Sequence, residues 1–157
     1  MTGLIDRRTL CIALAALAVG GALGPAARAA EGAETPLALQ GYDPVAYFTD
    51  GRAQQGDPQF EYAWHGAVYR FASAHDLALF RLGPERYLPQ YDSLCTASLA
   101  AGHRYPGDPK NWLVHDGRLD LVGSAAAQAQ MARDPAAMKA KADTVWAKMW
   151  AAPAPQR

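Results

Sequence analysis

The chain is poor in cysteine and has no excess of charge of either sign. Its 157 residues include two cysteines, and 15 lysines and arginines balance 15 aspartates and glutamates. Two cysteines cannot build a disulfide-dense scaffold. A balanced chain is not a strongly basic nucleic-acid binder, because binding phosphates requires a clustered cationic face. The same balance argues against electrostatic docking on anionic membranes.

The first 29 residues have the composition of an export signal. Arg7 and Arg8 precede an uncharged, alanine-rich stretch over residues 9–27, and Ala27-Arg28-Ala29 has the small-x-small pattern that a signal peptidase cleaves. The paired arginines resemble a twin-arginine signal, which makes the twin-arginine export machinery the expected partner during secretion. The alternatives are an ordinary secretion signal and a retained anchor, and the weak hydrophobicity of alanine and glycine argues against the anchor.

We therefore expect residues 1–29 to be cleaved, leaving a periplasmic protein (secreted in a single-membrane host) with no stable membrane anchor. Cleavage removes Cys11, so Cys95 becomes the only thiol of the mature chain, in an oxidising compartment. No intramolecular disulfide can then form. Cys95 must be buried, occupied by a ligand or partner, or chemically reactive.

The mature chain has the length and hydrophobic content of one small domain. We expect a flexible leader over 30–36, a domain over 37–150 and a disordered tail over 151–157. No internal repeat is apparent. Alternating apolar residues and tight-turn signals predict an α+β domain with two β-hairpins, a short central helix and a C-terminal helical pair.

The predicted elements follow in chain order. Asp43 and Pro44 begin a short helical turn. One hairpin turns at His65-Gly66 and the other at Asp116-Gly117. Ser73 caps the central helix and Ser124 the first of the C-terminal pair. The central helix is expected to bury Leu77, Leu79, Phe80 and Leu82, and the stretch from Tyr91 to Asn111 is expected to be irregular.

Several separated motifs resemble the YHS domain family, in particular its longer exported members, over roughly residues 37–149. The matching segments are Gly41-Tyr42-Asp43-Pro44-Val45-Ala46-Tyr47-Phe48, Tyr69-Arg70-Phe71-Ala72-Ser73, Gly83-Pro84-Glu85-Arg86-Tyr87-Leu88-Pro89-Gln90-Tyr91, Cys95, Trp112 and Asp116-Gly117-Arg118-Leu119. The resemblance implies a compact α+β module related to treble-clef-like metal domains. It implies no reaction, since fold and function are separable.

The chain departs from the short metal-binding members of that family. The resemblance places their three cysteines at positions that here hold Ala46, Ala72 and Asp76. Two methyl groups and one carboxylate cannot form a soft thiolate site, so the family's ordinary zinc site is not expected. The resemblance still carries Asp43, Tyr47 and Cys95 across as matched positions of the longer exported type.

Cys95 is the strongest candidate for chemistry. Its thiolate is a soft ligand suited to Cu(I), it could act as a nucleophile, or it could be an inert core residue. His103 and His75 are the candidate co-ligands or thiol-activating groups. Asp43 and Tyr47 are supporting polar residues, with Asp43 most simply a helix cap. No catalytic residue is assigned.

Three function classes remain open. The first is a non-enzymatic binding module for a copper-like soft metal ion or a small ligand, centred on Cys95. The second is a thiol-dependent redox protein or enzyme that uses the same residue. The third is a structural or partner-binding domain without chemistry, with its protein partner unknown. The balance of these features leans against an enzyme.

Overall fold

The computed structural model describes residues 35–151. The expected signal peptide, most of the expected leader and the tail beyond Ala151 lie outside the described residues. At the start of the described chain the Pro36 carbonyl accepts a hydrogen bond from the Val68 amide. Pro36, which falls within the predicted leader, is therefore bonded to the segment that contains Val68.

The described chain contains four strands and five α-helices, and the strands follow one another in two pairs. The strands are β1 (Asp57–Trp64), β2 (Ala67–Phe71), β3 (Asp108–His115) and β4 (Arg118–Val122). The helices are α1 (Ala46–Thr49), α2 (Ala74–Leu82), α3 (Thr96–Ala100), α4 (Ala125–Arg133) and α5 (Pro135–Ala151). Strands β1 and β2 form one antiparallel pair and β3 and β4 another. The prediction of a single α+β domain with two hairpins, a central helix and a C-terminal helical pair is confirmed.

Two details of the prediction are wrong. The stretch from 91 to 111 is not irregular, because α3 and the first residues of β3 lie within it. Leu82 does not contribute to the apolar face of α2, since it is 85% exposed, whereas Phe80 is fully buried. Leu82 is the last residue of α2, and at this end of the helix its side chain points away from the core.

The two hairpins share one register. In each, one pair near the start is followed by a shift in register and then by four consecutive pairs, and every pair of the first hairpin recurs 51 residues later (57 to 108). The corresponding pairs are Asp57–Phe71 and Asp108–Val122, Glu61–Arg70 and Trp112–Leu121, Tyr62–Tyr69 and Leu113–Asp120, Ala63–Val68 and Val114–Leu119, and Trp64–Ala67 and His115–Arg118.

The correspondence extends to both sides of the hairpins. Three successive residues with positive φ precede each hairpin, namely Leu39, Gln40 and Gly41 in one case and Tyr91, Asp92 and Ser93 in the other. After the hairpins, Ser73 and Ser124 each accept a hydrogen bond from the amide three residues on and cap a nine-residue helix. The domain is therefore a structural duplication, with an N-terminal repeat over residues 37–87 and a C-terminal repeat over residues 89–138.

The expectation that the chain has no internal repeat is wrong, and the sequence explains why the repeat is hard to see. Few residues are identical between the copies, chiefly Gly-Asp-Pro at 56–58 and 107–109 and Ser-Ala at 73–74 and 124–125. The loop before β1 is also one residue longer than its counterpart, so the offset falls from 52 residues (43 to 95) to 51 (57 to 108).

The repeats differ in what fills their interiors. In the N-terminal repeat Val45, Phe71, Phe80 and Tyr87 pack together, with further aromatic residues around them. In the C-terminal repeat Cys95, Val122 and Met131 form the corresponding cluster, with Met138 packed against it. No helix among the described residues has both the length and the apolar character needed to cross a membrane.

Candidate functional site

The Asp43 carboxylate connects the start of α1 to the end of β2. Its Oδ1 accepts hydrogen bonds from the amides of Val45 (2.7 Å) and Ala46 (3.4 Å), and its Oδ2 accepts one from the Ala72 amide (2.7 Å). The residue is completely buried. The predicted capping role is therefore present, and the second oxygen adds a contact between segments 29 residues apart in the chain.

Burial decides the protonation of Asp43. Loss of solvation raises its pKa to about 6, and the negative charge of Asp76 acts in the same direction. The amide hydrogen bonds from Ala72, Val45 and Ala46 oppose this rise but do not cancel it. Asp43 consequently changes its charge in a pH range well above that of an exposed aspartate.

Cys95 is buried, with 2% of its surface exposed. Its sulfur accepts hydrogen bonds from the amides of Ser98 (3.4 Å) and Gly123 (3.2 Å), and it caps the five-residue helix α3. Its own amide donates to the Tyr105 carbonyl (2.8 Å). The thiol therefore lies in a closed position fixed by backbone groups on two segments.

Asp43 and Cys95 occupy equivalent positions in the two repeats. The amides that serve the carboxylate, at Ala46 and Ala72, correspond to those that serve the sulfur, at Ser98 and Gly123. The backbone amides of the two residues also donate to equivalent carbonyls. Among the described residues Asp43 and Cys95 form no hydrogen bond with each other, because each side chain bonds within its own repeat.

Cys95 belongs to a cluster that contains two other sulfur-bearing side chains. Met131, which is fully buried, packs in the same cluster, and Met138 packs against it. We call Cys95, Met131 and Met138 the sulfur cluster. Their counterparts in the N-terminal repeat are Asp43, Phe80 and Tyr87, none of which carries sulfur. Thiolate and thioether sulfur are the ligands that Cu(I) prefers.

The two candidate histidines lie at the surface. His75 is exposed in the first turn of α2. His103 is exposed after α3, where its amide donates to the Ser98 carbonyl and its ring lies 6.0 Å from that of Tyr105. No hydrogen bond joins either of them to Cys95 in the described chain. Within residues 35–151, no group of three or more histidine, cysteine, aspartate or glutamate side chains could hold a metal ion.

Tyr47 has a structural position between the repeats. It is buried, its hydroxyl donates to the Pro109 carbonyl (2.8 Å), and its ring lies 5.1 Å from that of Trp112. Burial raises the pKa of its hydroxyl, so the group is neutral and donates at ordinary pH. The predicted polar role of Tyr47 is therefore a contact from α1 to β3.

A buried charged group that the sequence reading missed lies beside α3. The fully buried Asp120 accepts hydrogen bonds from the Thr96 hydroxyl (3.1 Å) and the Lys139 ammonium (2.9 Å). Burial raises the pKa of Asp120, while Lys139 and Thr96 lower it. The sequence gives no sign of this contact. Thr96 is only a small neighbour of Cys95 in the chain, and nothing in the residue pattern of β4 indicates which group would pair with Asp120.

Comparison of the chain with protein families, with curated proteins and with solved structures returned no match. The site is therefore interpreted from its own residues.

Proposed function

We propose that the protein is an exported, non-enzymatic binding module of the YHS type that holds one soft metal ion, Cu(I) by preference, in the sulfur cluster. The observation that carries this proposal is the packing of Cys95, Met131 and Met138 in one cluster. Three positions that bear no sulfur in the N-terminal repeat all bear sulfur in the C-terminal one. Cys95 keeps the central role that the sequence suggested, and the methionines take the place proposed for His103 and His75.

The chemistry of the cluster fits a soft ion. One thiolate and two thioethers give a donor set with a single negative charge, which matches the charge of Cu(I). The amide hydrogen bonds from Ser98 and Gly123 would hold the sulfur in place, as such bonds do around metal thiolates. The equivalent amides already serve a carboxylate at Asp43.

An ion could reach the cluster from the surface. Ala97 and Met138, which pack against Cys95 and Met131, also line a cavity of about 550 Å³ between α3 and the start of α5. Met138 is only partly buried, so its thioether lies between the cavity and the interior. We propose that Met138 is the ligand an entering ion meets first.

The arrangement around Asp43 supports the YHS assignment. The resemblance places the metal-binding cysteines of short family members at three positions, here Ala46, Ala72 and Asp76. In this chain Ala46 and Ala72 donate their amides to the Asp43 carboxylate, and Asp76 lies close enough to affect its pKa. Positions from two separate segments of the chain thus lie around one carboxylate, which is consistent with a fold of this type.

The test is a Cu(I) competition titration against a chromophoric chelator. We expect the wild type to bind one equivalent, Cys95→Ser to lose binding, and Met131→Leu and Met138→Leu each to weaken it by about tenfold or more. Met149→Leu is the matched control, because Met149 packs in a different cluster with Tyr91 and Leu99. Leucine nearly conserves the volume of methionine, so the variants should fold.

Unchanged Cu(I) affinity in Cys95→Ser, or equal affinities in all three methionine variants, would refute the site. Thiol titration of the metal-free protein then separates the other two classes. A thiol that reacts rapidly in the folded protein supports the redox protein or enzyme. A thiol that reacts only after denaturation supports the structural or partner-binding domain.

Export is the part of the proposal that depends on the sequence alone. Mass spectrometry of the protein from its native host should find a mature N-terminus near Ala30, in the periplasmic fraction. A full-length chain in the cytoplasm would remove the argument from an oxidising compartment.

A further inference from the structure

The cavity beside the sulfur cluster has a counterpart in the other repeat. Leu79, Leu82, Gly83, Arg86 and Tyr87 line a depression of about 190 Å³ in the N-terminal repeat. The residues 51 positions later are Gln130, Arg133, Asp134, Ala137 and Met138, and all five line the cavity of about 550 Å³ in the C-terminal repeat. The same place in the duplicated fold therefore has a small cavity in the N-terminal repeat and a larger one in the C-terminal repeat.

Four differences between the copies open this cavity and change its charge. Ala137 replaces the long side chain of Arg86, and Met138 replaces the ring of Tyr87. Arg133 takes the place of Leu82 and Asp134 that of Gly83, so the equivalent positions carry an arginine and an aspartate instead of Arg86 alone, and the net positive charge of the larger cavity comes from Lys141. The volume of about 550 Å³ is in the range of small-molecule sites, which is roughly 300–1,000 Å³.

The cavity continues along the seam between α3 and α5. Ala100, Ala137 and Lys141 line it and also line an adjoining cavity of about 580 Å³ that reaches Thr144 and Val145. Small alanine side chains on both helices form its floor. Ala97, Ala100, Ala137, Ala140 and Val145 give the joined cavities a run of small apolar side chains along both helices, against which an aliphatic chain can pack. We call the two joined cavities the α3–α5 groove.

The charged residues that line the groove favour an anionic ligand. Arg133 and Lys141 form no salt bridge within the described chain. Asp134 also lines the groove, but its Oδ1 is engaged with the Ala137 amide (3.0 Å), where it caps α5. Gln130 adds a neutral hydrogen-bonding group. Among the described residues the groove therefore presents two cations without a salt bridge against one carboxylate, a net charge of plus one, beside a run of alanines.

We propose that the α3–α5 groove binds an aliphatic carboxylate, with the chain along the alanines and the carboxylate between Arg133 and Lys141. The inference goes beyond the metal site and does not require it. Arg133 provides a planar, bidentate partner for a carboxylate, and Lys141 provides a second charge. Burial of the ligand's aliphatic chain supplies most of the affinity, and the two cations determine which end of the ligand lies near them.

The experiment uses the metal-free full mature chain and decanoate, titrated by calorimetry and by amide NMR shifts. We expect saturable binding with shifts at Ala97, Ala100 and Ala137, and at least tenfold weaker binding of decanol. Ala137→Phe should abolish binding by filling the groove, and because Ala137 is exposed the variant should fold. Arg133→Gln and Lys141→Gln should each weaken decanoate binding about fivefold and leave decanol binding unchanged.

Lys148→Gln is the matched control, since Lys148 is an exposed cation of the same helix that does not line the groove. Equal binding of decanol and decanoate, or full decanoate affinity in Ala137→Phe, would overturn the proposal. So would binding to phosphatidylglycerol vesicles without binding to monomeric decanoate, because that result would make the surface a membrane contact. Cu(I) affinity measured on the same variants distinguishes this result from failure of the metal site.

Discussion

The Asp43 carboxylate and the Cys95 sulfur hold the same place in the two repeats of this domain. Each accepts an amide from the first turn of a short helix and a second amide from the residue that follows its hairpin, at Ala72 or Gly123. A hard, charged acceptor serves one repeat and a soft acceptor serves the other. The backbone amides therefore need a hydrogen-bond acceptor at this point in both repeats. Either an oxygen or a sulfur atom can be that acceptor, so the atom can differ with the function of the repeat.

The first prediction concerns the cost of removing that acceptor at Cys95. Cys95→Ala leaves the amides of Ser98 and Gly123 without a protein partner, and because both hydrogen bonds are only partly buried, their loss should cost about 1 kcal/mol. Cys95→Ser keeps an acceptor in nearly the same place, so its unfolding free energy should exceed that of Cys95→Ala. Urea unfolding of the metal-free proteins measures the difference. A cysteine that was merely an apolar core residue would give the opposite order, because serine would bury a hydroxyl.

The second prediction uses the glycines that open each hairpin. A Cβ on Gly56 would lie 2.6 Å from the Arg70 carbonyl carbon, and a Cβ on Gly107 would lie 2.4 Å from the Leu121 Cβ. Gly56→Ala and Gly107→Ala should each lower the unfolding free energy by about 2 kcal/mol or more, because the strands must separate. Gly83→Ala is the control, since nothing lies within 4 Å of its Cβ position and its φ is −170°. Equal melting temperatures for Gly107→Ala and Gly83→Ala would contradict the expected close packing.

Local chemistry in the sequence was sufficient to predict most of the secondary structure. The turns at His65-Gly66 and Asp116-Gly117 and the serine caps at 73 and 124 act through neighbouring residues, so no tertiary knowledge was needed. Helix α3 was missed because five residues carry too little periodicity to detect. Asp108-Pro109 lies within the stretch predicted to be irregular, whereas it forms the start of β3, where the shift in register leaves the proline without a partner on β4.

The duplication and the site required tertiary information. Equivalent positions such as Phe80 and Met131 differ in residue type, so the repeat is carried by register and backbone shape rather than by identity. Met138 lies eleven residues before Met149 on the same helix, a spacing that by itself favours core packing for both. Met131, the other methionine of the sulfur cluster, lies on a different helix, α4. Only the tertiary packing of α4 brings it to the cluster of Cys95.

The third prediction concerns the buried pair of Asp120 and Lys139. Their contact is 2.9 Å long, and the side chains are 0% and 16% exposed respectively. Lys139→Met leaves the Asp120 carboxylate buried with only the Thr96 hydroxyl, which should cost about 3–5 kcal/mol at pH 7. The loss should shrink at low pH, because protonation removes the uncompensated charge. Lys148→Met, at an exposed position of the same helix, should change the unfolding free energy by less than about 0.5 kcal/mol. A loss for Lys139→Met that does not change with pH would contradict the pairing.

The last prediction is a pH dependence assigned to Asp43. Its pKa is about 6 in the folded protein, above the ordinary value of 3.8, so between these values the folded state binds more protons than the unfolded state. The unfolding free energy should therefore decrease as the pH rises from about 4 to about 6 and change little from this source above that range. A shift of about two units corresponds to about 3 kcal/mol over the whole transition.

Asp43→Asn isolates this contribution. The carboxamide cannot ionise, and its NH₂ cannot accept the Ala72 amide, so the variant should be less stable than the wild type but lack this decrease between pH 4 and 6. Urea unfolding of both proteins at closely spaced pH values gives the difference curve, in which other carboxylates such as Asp120 cancel. Asp76→Asn is the companion variant. Because the charge of Asp76 helps to raise the pKa of Asp43, its removal should move the transition to lower pH without abolishing it. A difference curve for Asp43→Asn that is flat from pH 4 to 7 would assign the titration to another group.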